Sequence, residues 1–152
     1  MTNINRVKTI FKDLLLSTER YNAERLFEMI ESSDFFEQEG QGIFAYPGGL
    51  AAQSVKLAKS LMLCGIEHDS AVAVGLLHDL AQAKHEEWNM YGGHGLKSLR
   101  IIYDCGMSLT RQEEDAIVEH SMPLRSAHQP LVQLTYKCEQ TLVNGLSILL
   151  AA

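Results

Sequence analysis

Apolar residues recur at helical spacing along nearly the whole chain. Ile4, Val7, Ile10, Phe11, Leu14 and Leu15 follow intervals of three and four, which predicts an amphipathic helix over about 4–16. Leu26, Phe27, Met29 and Ile30 predict a second from about Asn22 to Ser32, with Asn22 as its N-cap. Residues 33–49, SDFFEQEGQGIFAYPGG, break the period with glycines, aromatics and a proline, and read as an ordered loop. Helical spacing returns from Leu50 to Cys64, where Gly65 supplies a stop. Asp69 is expected to cap the next helix, which runs through AVAVGLLHDLAQA and is apolar on nearly every side, as a buried central helix is. Trp88 to Gly93 is expected to be a loop, and Gly95 to Asp104 a helix that stops near Gly106. Thr110 and Glu113 stand at capping-box spacing for a helix reaching His120. Pro123 and Pro130 bracket a turn, and a last helix is expected from about Leu131 to Leu150. No segment sustains the period of two that a strand requires. The expected fold is all-α: a single-domain bundle of about seven helices, with residues 1–21 as an N-terminal helix and linker and 22–152 as the main body.

Composition acts mainly by exclusion. The chain has 152 residues, of which 46% are hydrophobic and 21% charged, an ordinary globular balance that argues against disorder. Thirteen basic against nineteen acidic residues give a net charge of −6 without a basic cluster, which disfavours nucleic-acid backbones and anionic membranes. A small phosphate ester stays within reach, because a bound cation can hold it. Before the tail, the longest apolar run is Ala71 to Leu77, interrupted by Gly75 and far short of the roughly 20 residues of a membrane span. The N-terminus carries Lys8, Lys12 and Asp13 within its apolar pattern, unlike a signal peptide. Cys64, Cys105 and Cys138 are odd in number and lack CxxC spacing, which fits reduced thiols and a cytoplasmic protein. The tail LSILLAA is apolar, with no charge after Glu139. It is expected to be ordered, packed within the chain or against a second subunit, so that the protein is a monomer or a homodimer.

Few residues are equipped for chemistry. His78 and Asp79 lie side by side in GLLHDLAQAK, at the end of the apolar central helix. A carboxylate beside an imidazole among leucines is costly unless charge or hydrogen bonds compensate, and a divalent cation is one solution. The other is structural: Asp79 bonded to a helix terminus and His78 to a carbonyl. His94 stands between glycines at a helix start, where free N–H groups suit a phosphate. His120 ends a helix, where the dipole favours its cationic form. Glu139 borders the apolar line Leu134, Cys138, Leu142 and Leu146, and either reaches inward or is solvated. His68, His85 and His128 read as surface residues.

In order, LLHDL, GHGLKS, IVEH and PLVQLTYKCE, preceded by ESSDFF, AYPGGL and AQSVKLAKSL, resemble the HD-domain superfamily of metal-dependent phosphohydrolases. The likeness is closer to its small prophage- and mobile-element-associated members, and it covers roughly residues 22–150. It implies His78 and Asp79 as metal ligands, Glu139 at the position of the family's distal aspartate, and His94 and His120 as histidines for the phosphate or a second metal. The implied cofactor is a divalent ion, with magnesium, manganese, iron, zinc, nickel and cobalt not distinguished. The implied substrate is a phosphomonoester or nucleotide, and Asp79 would double as orienter or general base. Three positions depart from the family. Gln53 stands where it has its first-helix histidine, which leaves an amide oxygen as the ligand there. Ile43 replaces a further histidine, and Gln82 replaces a lysine. The resemblance thus leaves two expectations: a phosphohydrolase with an incomplete metal site, or a catalytically impaired module that binds a nucleotide or a protein partner.

Overall fold

A computed structural model describes residues 4–85, 88 and 93–145. Its helices are α1 (Ile4–Ser17), α2 (Ala23–Ser32), α3 (Gly49–Leu63), α4 (His68–Leu77), α5 (His94–Asp104), α6 (Arg111–Val118) and α7 (Pro130–Val143). Short 3-10 turns occupy Gly42–Phe44 and Leu80–Gln82. No strand occurs among the described residues, and no helix there is long and apolar enough to cross a membrane. The expected all-α class is the observed one.

Several helix ends follow the sequence. Thr110 Oγ1 accepts the Glu113 N–H at 3.2 Å, and Glu113 Oε1 accepts the Thr110 N–H at 3.0 Å, closing the expected capping box of α6. Others differ. Asn22 takes φ +63° and caps nothing; its Nδ2 donates instead to the Cys105 carbonyl at 3.0 Å, tying the α1–α2 turn to the end of α5. Asp69 sits in the first turn of α4 rather than at its cap, which is Glu67. The central helix stops at Leu77, well before Ala83. The backbone N–H groups released by this break find tertiary partners: Ala81 donates to Ser98 Oγ at 3.0 Å and Lys84 to Asp34 Oδ1 at 2.6 Å. The last helix does not run unbroken to Leu150 as expected: α7 ends at Val143, Asn144 is its C-cap and Gly145 turns at φ +77°, while residues 146–152 and most of the Trp88–Gly93 loop lie outside the described residues.

The α3–α4 pair is the centre of the fold, with α1 against both and α7 against α3 and α6. Phe11 of α1 meets Phe35 and Phe36 edge-on at 5.4 and 5.2 Å, so the ESSDFF segment and α1 share one aromatic core. At the α3–α4 crossing, a Cβ on Gly75 would lie 2.4 Å from the Ala58 backbone. At the α5–α6 contact, a Cβ on Gly95 would lie 2.6 Å from the Ile117 carbonyl oxygen. Both contacts require glycine.

One buried ion pair ties distant elements together. Arg20, after α1, donates to both Glu113 oxygens at 2.6 and 2.7 Å, and Ser70 of α4 adds a third hydrogen bond at 2.7 Å. Burial opposes ionisation of Glu113, but Arg20, Ser70 and the Thr110 N–H outweigh it and hold the carboxyl below its ordinary value of 4.5.

Two outcomes are expected. Gly75→Ala should destabilise the fold by about 1–3 kcal/mol, because backbone rather than a movable side chain blocks the new methyl; a melting temperature equal to that of the parent would contradict this. Glu113, with its lowered folded value, contributes stability that is fully present above the ordinary value of 4.5 and is lost as pH falls through the folded value. Glu113→Gln should therefore lower the melting temperature at neutral pH and flatten its decline below about pH 4.5; melting curves across pH 3–7 with parallel slopes for both proteins would contradict this.

Candidate metal centre

Both histidines of the site stand just beyond helix ends, where the last carbonyls have no helical N–H partner. His78 follows α4, and its Nδ1 donates to the Gly75 carbonyl at 2.9 Å. His120 follows α6, and its Nδ1 donates to the Ile117 carbonyl at 2.7 Å. The two rings are thus fixed by the same device, a carbonyl three residues earlier. That bond assigns a proton to Nδ1 and leaves Nε2 for whatever lies inside. The rings meet edge-to-face with centroids 4.8 Å apart.

Asp79 lies between them. Its Oδ2 is 3.1 Å from His78 Nε2, and its Oδ1 is 3.2 Å from His120 Nε2. Glu139 arrives from α7, with Oε2 3.5 Å from His78 Nε2. One ligand atom from each of the four residues lies within 4.8 Å of all the others, so His78, Asp79, His120 and Glu139 form a group able to hold a metal ion. All four are buried, at 0, 2, 5 and 3% exposure respectively. Two imidazole nitrogens and two carboxylate oxygens suit zinc and the other divalent transition ions alike.

Within the site, burial and charge act on each group in opposite directions. Burial alone would lower the His78 value, but the Asp79 and Glu139 charges outweigh it and raise His78 well above its ordinary 6.5. Burial likewise works against ionised Asp79, yet the His78 charge and the His120 side chain pull it well below the usual carboxylate range. Even so, His78 Nε2 and Glu139 Oε2 are buried without a properly aligned hydrogen-bond partner among the described residues. Buried polar atoms without partners are rare in folded proteins, and a cation held here could engage both.

The sequence candidates divide. His78, Asp79 and Glu139 come together, and Glu139 is inward rather than solvated. His120, assigned to phosphate or a second metal, belongs to the same cluster. Its spacing from Ile117 is the only local signal, and it predicts a ring bonded to a helix-end carbonyl without saying what the ring faces. His94 is exposed at the first residue of α5, outside the cluster. Gln53 is buried on α3; its Oε1 accepts the Gln41 N–H at 3.0 Å, and its Nε2, a donor, has no partner among the described residues. Ile43 is exposed and Gln82 half-buried.

The sequence matches no protein-family model, and it finds no match among curated proteins or solved structures.

A ligating imidazole must be deprotonated, so metal binding will displace the His78 proton and weaken as pH falls. Calorimetric titration with cobalt(II) in buffers of different ionisation heat should reveal proton release on binding. A heat independent of buffer would remove His78 from the ligand set.

Proposed function

We propose that this protein is a metal-dependent phosphohydrolase of phosphomonoesters or nucleotides, with its ion held by His78, Asp79, His120 and Glu139. The observation that carries the reading is the buried quartet itself, with two inward-lying atoms left without hydrogen-bond partners. The resemblance to the HD-domain superfamily supports phosphoryl chemistry over other uses of such a centre. A divalent ion bound there supplies Lewis acidity toward a phosphoryl oxygen and a water of lowered pKa. The chain's own residues do the rest. The Gly75 and Ile117 carbonyls hold both imidazoles in one tautomer. Asp79, with its lowered value, orients rather than takes up protons. His94, beside the free N–H groups that open α5, is exposed where a phosphate can approach.

In this reading His120 supplies the second imidazole that Gln53 does not. The Gln53 amide also favours a second reading, in which the pocket binds a nucleotide or a protein partner without turning anything over. Its oxygen is already engaged by Gln41, and what remains free is a donor that no metal accepts.

The test is metal analysis of protein purified without chelator, followed by assays of 4-nitrophenyl phosphate and nucleoside monophosphates with manganese, cobalt, nickel, zinc and magnesium. Bound metal and metal-dependent release of phosphate are expected. Asp79→Asn should reduce the rate by about 100-fold or more at unchanged α-helical content. Gln53→His, which restores an imidazole on α3, should raise metal occupancy and rate together. Absence of both metal and turnover would sink the proposal; a nucleotide that raises the melting temperature without being hydrolysed would favour the second reading.

A further inference from the structure

We infer that Cys64 and Cys138 form an oxidisable dithiol site that closes to an intramolecular disulfide joining α3 to α7. Their sulfurs lie 3.8 Å apart although the residues are 74 positions apart in the chain. A disulfide bond is about 2.0 Å long, so the sulfurs must approach by roughly 1.8 Å. The site is built to allow that. Cys64 is the C-cap of α3, past the last helical residue, and Gly65 then turns the chain at φ +90° with no atom of the described residues within 4 Å of where a Cβ would be. Cys138 is fixed within α7 and buried, whereas Cys64 is half-buried and the more accessible of the two. The third cysteine, Cys105, is buried at the end of α5.

The chemistry is thiol–disulfide exchange with a small disulfide such as oxidised glutathione. The Cys64 thiolate attacks one reagent sulfur, forms a mixed disulfide and releases one glutathione thiolate. The Cys138 sulfur then attacks Cys64 Sγ and expels the second. Two protein thiols are oxidised, one glutathione disulfide is reduced to two thiols, and the two protons pass to the released glutathione. Cys138 is buried, so the reaction is followed over hours. Because Glu139 follows Cys138 directly, the bond fixes the turn of α7 from which Glu139 reaches His78.

The test uses the full chain incubated with oxidised glutathione. The titratable thiols should fall from three to one, and the intact mass should fall by two hydrogens. Peptide mapping should join the Cys64 and Cys138 peptides, and dithiothreitol should restore all three thiols. Cys105→Ser should form the same bond, and Cys138→Ala should stop at a glutathione adduct on Cys64. Three unchanged thiols, a stable glutathione adduct on the unsubstituted chain, or a covalent dimer would each overturn the inference. None of these readouts depends on metal or on hydrolysis.

Discussion

The site depends on how closely α4 lies against α3. Gly75 touches the Ala58 backbone so tightly that no side chain fits, and the carbonyl of the same residue holds His78. Helix packing and ligand orientation are therefore one constraint. It recurs on the other side of the site, where Gly95 of α5 presses on Ile117 and the Ile117 carbonyl holds His120. Close-packed interiors transmit displacement rather than absorb it. Neither imidazole can drift without opening a helix contact, so the distance between the rings is set by the bundle as a whole.

The break after Leu77 is the second requirement. On a continuous helix, adjacent side chains diverge by about 100°. His78 and Asp79 converge because the chain leaves α4 between them: His78 is still helical, and Asp79 turns at φ −116°, ψ 23°. Ser98 and Asp34 then accept the N–H groups that the helix no longer satisfies. Two buried glutamates differ in how their charges are satisfied. Glu113 is saturated by Arg20, Ser70 and Thr110, as expected of a charge whose role is to join elements. Glu139 is equally buried and leaves an oxygen without a hydrogen-bond partner beside an imidazole.

Much of this is legible in the sequence where a local pattern carries it. Spacings of three and four residues mark α1, α2 and α7, and Thr110 with Glu113 marks the start of α6. The end of α4 is illegible for a physical reason: AVAVGLLHDL is apolar on every side, so its pattern has no phase to lose where the helix stops. Asn22 reads as a cap because its residue type favours caps, but its backbone is left-handed at φ +63° rather than extended, and its Nδ2 is turned to the distant Cys105 carbonyl. Glu139 sits at the edge of an apolar line, where local pattern alone permits either burial or solvation; only the resemblance to a known family turns it inward. The meeting of His120 with Asp79 and that of Cys64 with Cys138 are tertiary events between residues 41 and 74 positions apart, and no local spacing encodes them.

The quartet's dimensions bear on what it is ready to bind. Around an ion with ligands at about 2.1 Å, neighbouring donor atoms lie roughly 3.0–3.4 Å apart in octahedral or tetrahedral geometry. The contacts of Asp79 with His78 and His120, at 3.1 and 3.2 Å, already have that spacing, and Glu139 with His78, at 3.5 Å, is nearly there. Without an ion, the His78 proton provides the positive charge that keeps two buried carboxylates together. An ion entering the site would therefore replace a proton more than rearrange a scaffold. The fixed rings keep the cost of ordering the ligands low, and competition with that proton is left as the main electrostatic term against binding.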